Sequence, residues 1–460
     1  MMELGSFLYS VLAFVVAIGI LVTIHEFGHY WVARLCGVKV LRFSVGFGNP
    51  IWLHKAGADQ TEYAIAAIPL GGYVKMLDER EGEVDASELS RAFNRQSVGK
   101  RFAIVSAGPA FNFLFAIFAY TLMYMNGVAG LKPYVGEIAP SSLAMSAGMR
   151  EKDLILSVND VPTASWEKAR LVLMQEAVDE PVLNLQVQGE DLQIRNLTLA
   201  IDNLDFLQQE NTDLLEQLGM SMWRPDIPPQ IDEVISGGAA EAAGLLAGDQ
   251  IVSVNKQVIH NIRQWVDVIR AHPEQSLDVQ VRRGERLVTI AITPRSQVQD
   301  GETIGFIGVK NVIVVPKEIR DQLRVVEQFG PFSAILEAVD KTWQMSVLTL
   351  KVLGKLIVGE ASLKNLSGPI TIAKYAGMSA QIGLEQFFAF LAIISISLGV
   401  LNLLPVPMLD GGHLLYYCIE IIKGSPVSES VEAIGQRVGL VLLMMLMSIA
   451  IYNDVLRLVE

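Results

Sequence analysis

A largely apolar run from Phe7 to Ile24 ends on His25-Glu26-Phe27-Gly28-His29. About twenty such residues in a row specify a helix that crosses a bilayer, because lipid offers backbone N–H and C=O groups no partners but each other. On that helix His25 and His29, four apart, share one face and would hold a zinc ion. Glu26 beside them would act as general base toward a water molecule. Histidine and glutamate are unfavourable in lipid and occur there facing a polar interior. A buried histidine pair or a chance match are the alternatives, and with only six histidines in the chain chance is a poor explanation.

Apolar stretches at about 6–30, 102–125, 386–404 and 437–456 qualify as membrane spans. Hydrophobic residues make up 51% of the 460, which places part of the chain in a bilayer. The formal charge of −13 argues against nucleic acid or an acidic lipid surface as the main partner. Cys36 and Cys418 give no disulfide framework. Glu3 replaces the basic start of a signal peptide, and cleavage would destroy the histidine motif, so the first span is expected to be retained.

Arg34, Lys39 and Arg42 follow the first span, and Arg91, Arg95, Lys100 and Arg101 precede the second. The positive-inside rule then makes 33–100 cytoplasmic and puts both termini and 127–385 on the other side, the periplasm in a bacterial cell. A fifth apolar stretch, 333–358, carries Glu337, Lys341, Gln344, Lys351 and Lys355 along one face, which suits a helix at the membrane surface. Four spans also bring Asp410 level with His25 and His29, whereas a fifth would set it about 30 Å away.

Asp410 is the expected third ligand. It lies in Asn402-Leu-Leu-Pro405-Val-Pro407-Met-Leu-Asp410-Gly411-Gly412-His413, where two prolines stop a helix and two glycines allow a sharp restart. A catalytic zinc takes three protein ligands and keeps one position open. A plain turn with Asp410 as a helix cap is the alternative, and His413 is a rival ligand. Asn402, inside the third span, would by itself be read as a hydrogen bond between helices.

The constellation resembles the site-2 protease family. The resemblance covers essentially the whole chain, through the HExxH motif at 25–29, Gly108-Pro109-Ala110-Phe111-Asn112 in the second span, and Asn402 through Gly411. It implies one catalytic Zn2+ held at His25, His29 and Asp410, Glu26 as base, and Asn402 against the substrate backbone. Asn112 would join the substrate site, or else satisfy carbonyls freed by a Gly-Pro kink.

Between the first two spans, 63–75 reads as β-rich chain broken by Pro69, Gly71 and Gly72. Open edges and glycines there, with Tyr63, Ile65, Gly71 and Gly72 as the candidate contacts, would let a substrate strand add on. A small hairpin capping the bundle is the alternative, and the family's membrane-associated β loop favours the first reading.

Glu137–Asn159 aligns with Glu233–Asn255 at a constant offset of 96, matching Asp153 with Asp249 and Ser157-Val158-Asn159 with Ser253-Val254-Asn255. Two tandem copies of one domain follow. Both resemble PDZ domains, with carboxylate-binding loops at Leu218-Gly219-Met220 and at Ile304-Gly305-Phe306-Ile307-Gly308. Such loops would take a C-terminal peptide. Occluded grooves would instead make the pair a steric filter.

The expected fold is a polytopic α-helical membrane protein of four transmembrane helices, with a membrane-associated β loop and two tandem α+β PDZ domains. Its segments are 1–32 (first span), 33–100 (cytoplasmic segment), 101–126 (second span), 127–222 and 223–314 (the two domains), 315–385 (amphipathic surface region), 386–412 (third span) and 413–460 (turn and fourth span). The expected function is an intramembrane zinc endopeptidase of the bacterial inner membrane. The resemblance suggests a trimmed anti-sigma factor as its single-span substrate, with remnant signal peptides as further ones and envelope-stress signalling as the output. The surrounding partner is membrane lipid. Two other classes stand beside it. A non-catalytic scaffold with a structural metal has no use for Glu26, and a transporter lacks the repeated broken helices it would need.

Overall fold

The computed structural model describes residues 2–201, 213–299, 302–312 and 315–459. Helix α1 (Met2–Leu35) leads into strands β1 (Val40–Ala56) and β2 (Thr61–Met76), and α2 (Val98–Asn126) follows. Strand β3 (Val128–Leu131) opens the outer region. A first α+β unit comprises β4 (Val135–Ile138), α3 (Leu143–Ser146), β5 (Leu154–Val158), β6 (Val161–Pro162), α4 (Trp166–Asp179), β7 (Val182–Gln188), β8 (Ile194–Ala200), α5 (Leu214–Leu218) and β9 (Met220–Met222). A second comprises β10 (Gln230–Val234), α6 (Ala239–Ala243), β11 (Gln250–Val254), β12 (Gln257–Val258), α7 (Ile262–Ala271), β13 (Leu277–Arg283), β14 (Arg286–Ile292), β15 (Arg295–Gln299), β16 (Glu302–Phe306) and β17 (Val309–Val312). The chain closes with α8 (Lys317–Leu323), β18 (Arg324–Glu327), α9 (Pro331–Val358), α10 (Pro369–Ile382), α11 (Leu384–Leu403), α12 (Asp410–Lys423) and α13 (Glu429–Val459).

Four helical stretches among the described residues are long and apolar enough to cross a membrane: Gly5–Leu35, Val98–Asn126, Leu384–Leu403 and Glu429–Leu458. They are the four expected from the sequence. Helix α2 lies at the middle of the bundle, in contact with α1, α9, α11 and α12. Its Ala116 and Ala119 are buried against Ala392, Ile396 and Val400 of α11. Lipid provides no hydrophobic drive between helices, so small residues that permit close approach carry the packing.

The repeated sequence forms the same hairpin turn in both units, although the first builds a four-stranded sheet and a separate β4–β9 pair where the second builds one six-stranded sheet. Val158 pairs with Val161 and Val254 with Gln257, so a two-residue turn joins each hairpin. Its residues, Asn159-Asp160 and Asn255-Lys256, all have positive φ, the conformation that matches strand twist and that Asn tolerates. The Asn side chains also accept from Asn184 N at 2.8 Å and Asp278 N at 2.9 Å, tying each turn to the next strand. Asp153 and Asp249 are buried and pair with Arg195 and Arg283. Burial pushes the Asp249 carboxyl up, but Arg283 and the Leu246 N–H outweigh it and hold the group below its ordinary range.

Strand β3 pairs with β18, from Val128 opposite Glu327 to Leu131 opposite Arg324. The first residues of the expected segment 127–222 therefore form a neck shared with residues beyond the second unit. The stretch 333–358 falls within α9, which is not among the candidate spans. Its Ala338, Met345 and Leu353 pack on Ala116, Ala119 and Tyr120 of α2. Its other side meets α4, where Lys341 Nζ donates to Glu167 at 2.9 Å, Lys351 pairs with Asp179, and Leu348 packs on Leu171 and Val178. The polar face that suggested a helix at the membrane surface is thus largely engaged by the first unit.

Candidate metal centre

Three side chains meet where α1, α2 and α12 converge. His25 Nε2 lies 3.2 Å and His29 Nε2 3.5 Å from Asp410 Oδ2, and the two nitrogens are 3.2 Å apart. Among the described residues this is the one group of three able to share a metal ion. Zinc bonds of about 2.0–2.1 Å in a tetrahedral set put neighbouring ligand atoms about 3.3 Å apart, so the residues present fit the ion. Asp410 Oδ2 is buried with no hydrogen-bond donor on it, as befits an atom kept for a cation. His413, in the first turn of α12, stands outside this group and faces the Tyr416 ring at 6.4 Å.

Glycine sets the distances. A Cβ on Gly28 would run into the carbonyl of Ala107, and one on Gly108 would strike His29 Nε2 and sit 2.8 Å from His25 Cε1. The glycine inside the histidine motif and the glycine before Pro109 therefore let α1 and α2 touch at the site itself. Asp410 is aimed by the turn from α11 to α12, in which Met408 has φ of 86°, a conformation that non-glycine residues adopt at energetic cost. A Cβ on Gly412 would meet the Val406 carbonyl at 2.5 Å, so α12 can start only this close to the turn without one.

Both rings are held from behind. His29 Nδ1 lies 2.9 Å from the Ile104 carbonyl, to which it donates, leaving its Nε2 lone pair free. His25 Nδ1 lies 3.2 Å from Nδ2 of the fully buried Asn112, whose Oδ1 has no partner among the described residues. A carboxamide N–H there would force the ring proton onto Nε2 and block ligation. With the carboxamide turned by 180° its oxygen would accept from Nδ1–H, the arrangement that suits a metal ligand. Ser395 Oγ in turn donates to the Asn112 backbone carbonyl at 2.8 Å.

Glu26 is half-buried, one residue from His25, and makes no hydrogen bond or ion pair among the described residues. It is outside the ligand group yet beside it. A carboxylate left unpartnered next to three ligands has the disposition of a proton acceptor.

Residues 13–446 match Peptidase family M50. The chain belongs to that family, the site-2 proteases. It is 46% identical over 455 residues, 98% of its length and all of the relative's, to the regulator of sigma-E protease RseP of Escherichia coli K12. It is 45% identical over 456 residues to the corresponding protein of Salmonella typhimurium strain 14028s, with the same 98% of the chain and all of the relative covered. A putative zinc metalloprotease of Vibrio cholerae is 44% identical over 456 residues, 98% of the chain and 99% of the relative. The protein is a membrane zinc metalloprotease.

In this M50 peptidase, β1 and β2 each bend to give four segments, whose two outer pairings are antiparallel and whose central pairing, 42–45 with 62–65, is parallel. Segment 40–45 lies between 72–76 and 62–65, and the latter pairs onward with 52–56. Tyr63 and Ile65 are thus interior to the sheet, and the Tyr63 hydroxyl bonds that of Tyr30 at 2.7 Å. Gly71 and Gly72 lie on the edge facing α1. A Cβ on Gly72 would come within 3.0 Å of Glu26 Cγ and 2.8 Å of Val22 Cγ1, so the glycine edge runs beside Glu26. Asn402 is in the last turn of α11, half-buried and without a hydrogen bond among the described residues.

The two candidate loops match each other at Gly219 and at the last glycine of the 304–308 stretch. Gly219 and Gly308 both have φ of 76°, and their carbonyls accept from Ala139 N at 2.8 Å and Ile235 N at 2.9 Å. The counterpart of Leu218-Gly219-Met220 is therefore Ile307-Gly308-Val309. Ile304 and Gly305 stand in β16, paired with Gln297 and Ser296, and a Cβ on Gly305 would strike the Ile269 carbonyl of α7.

Proposed function

We propose that the protein is an intramembrane endopeptidase that cuts single-span membrane substrates in an extended conformation. The observation that carries this reading is the unpartnered Glu26 placed between the His25–His29–Asp410 group and the glycine edge at Gly72. A helical substrate hides its peptide bonds and has to be opened before hydrolysis. The outer edge of 72–76, which among the described residues pairs only through its other side with 40–45, offers main-chain partners for an added strand, and glycine permits close approach.

His25, His29 and Asp410 would hold one zinc ion, which when bound supplies a Lewis acid and lowers the pKa of a water. Glu26 takes the proton from the attacking water and hands it to the leaving amide nitrogen as the C–N bond breaks. The Ile104 carbonyl, and Asn112 with its carboxamide oxygen toward His25, would keep the two rings in the tautomer this requires. Asn402, with its amide free, would hold the backbone of the substrate near the scissile bond.

Relatives are named regulator of sigma-E protease, which supports a role in regulating a sigma factor. In our reading the substrate is a trimmed anti-sigma factor, with remnant signal peptides as further ones and envelope-stress signalling as the output. The basic flanks at 34–42 and 91–101 support an inner-membrane orientation with the metal group near the cytoplasmic side and the outer units and both termini in the periplasm. The shared β-turns and Gly219/Gly308 geometry support reading both units as PDZ domains, acting as a size filter on untrimmed substrates. Peptide capture is the competing role. The test of the activity is cleavage of one reconstituted single-span substrate by the intact chain and by Glu26→Gln. Equal cleavage by both would sink the proposal.

A further inference from the structure

At the end of the bundle away from the metal group, a cavity of about 770 Å³ opens between α1, α10 and α13, with Met174 and Leu214 of the first unit closing one side. Its walls are fixed by two close contacts. Gly377 of α10 faces Ser10 of α1, where a Cβ would fall on the serine, and Gly368 faces α13, where a Cβ would lie 2.8 Å from the Ala450 carbonyl. Phe7, Val11 and Leu458 supply apolar lining.

The polar lining is cationic although the chain carries a formal charge of −13. Lys374 is exposed and makes no ion pair among the described residues. Arg457 donates to Ser367 Oγ at 3.2 Å and to a backbone carbonyl, neither of them charged. Among the described residues the lining includes one carboxylate, Asp454, and its oxygens are engaged by α10. They accept from the N–H groups of Gly368, Ile370 and Thr371 at 2.9, 2.8 and 3.2 Å, and from the Thr371 hydroxyl at 2.5 Å. Two cations that have no acidic partner among the described residues thus stand over apolar walls beside the ends of α1 and α13.

We infer that this cavity binds an anionic phospholipid from the leaflet on the side of the outer units. Its phosphate would lie between Lys374 and Arg457, and its acyl chains along Phe7, Val11 and Leu458. A soluble phosphate would leave the apolar walls wet, and a zwitterionic lipid would leave the two cations without a counter-charge. The volume is within the roughly 300–1,000 Å³ of small-molecule sites, enough for a headgroup and the start of its chains. Because Met174 and Leu214 complete the wall, the lipid would also join the first unit to α1 and α10.

The test is lipid retention by the purified full-length protein in native mass spectrometry, titrated with phosphatidylglycerol, with phosphatidylcholine of the same chains, and with inorganic phosphate. Phosphatidylglycerol should be retained preferentially and resist displacement by phosphate. Lys374→Gln, which removes no internal contact, should weaken its binding about five-fold, the ratio for one cation near a charged headgroup. Lys310→Gln in the second unit should leave it unchanged. Equal retention of both lipids, displacement by phosphate, or an undiminished Lys374→Gln variant would each overturn the inference.

Discussion

The carboxamide of Asn112 stands 3.2 Å from His25 Nδ1, so a residue of α2 sets the tautomer of a ligand on α1. Asn112→Ala should lower zinc affinity by roughly 10–100-fold, as loss of such outer partners does. Asn112→Asp, still an acceptor, should recover most of it. Competition with a chelator reads both. A loss of cleavage with zinc affinity intact in Asn112→Ala would instead make Asn112 a contact to substrate.

Glu26→Gln should retain the metal and the fold while cleavage drops by about 10²-fold or more, the usual contribution of a general base. Metal analysis and single-turnover cleavage on the same preparation separate this from ligation. Loss of the metal would reassign Glu26 as a ligand.

Asp410→Ala should empty the site, because two histidines alone leave a catalytic zinc one ligand short. His413→Ala should keep most of the metal. Gly108→Ala should behave like Asp410→Ala without altering any ligand, since its methyl group would occupy the space of His29 Nε2. Zinc content after dialysis is the measurement, and a fully loaded Gly108→Ala protein would mean that α1 and α2 separate easily.

The metal group was legible because HExxH is a helical spacing, and its two ligands sit on one helix whatever the rest of the chain does. Gly108 and Asn112 are also four apart and face the same side, a signal that could have linked Asn112 to the histidines. The sheet was harder to read. Each strand bends back on the sheet, so which residues border an edge depends on long-range pairing, and Tyr63 and Ile65 lie inside while Gly71 and Gly72 lie at the edge. In the second unit the turn before the glycine is approached by the β15–β16 hairpin, whereas in the first it follows α5. Ile304 and Gly305 therefore fall three positions early. Helix α10, apolar but only 14 residues long, carries no spanning signal, and its place is set by contact with α1 and α11.

The outer units can be removed at a point where the chain already closes on itself, since Lys132 N donates to the Leu323 carbonyl at 2.8 Å. Deletion of residues 134–322 with a short linker should let substrates with intact outer domains be cut and leave trimmed substrates nearly unaffected, if the units act by bulk. Weaker cleavage of trimmed substrate at low concentration, without new activity on intact substrate, would identify them as recruiters. Paired substrates in one membrane preparation distinguish the two.

Acid should loosen the second unit through Asp249. Its folded pKa lies below the unfolded value of about 3.9, so its contribution is complete above that pH and disappears as pH falls through the folded value. Asp249→Asn should cost about 1–3 kcal/mol at pH 7 and progressively less below pH 4. Amide exchange in β11 and β13 of the full-length protein reports the difference, and a pH-independent cost would dissociate the charge from the effect.

His25 and Asp410 come from opposite ends of the polypeptide, and their meeting has a consequence for biosynthesis. A ribosome that has delivered α1 and α2 to the membrane has exposed the histidine motif with no carboxylate to complete it. Translation must reach the turn beyond α11 before a third ligand exists, so an unfinished or prematurely terminated chain is inert toward its neighbours. Newly made single-span proteins inserting alongside are thereby safe from it until the turn between α11 and α12 has been made.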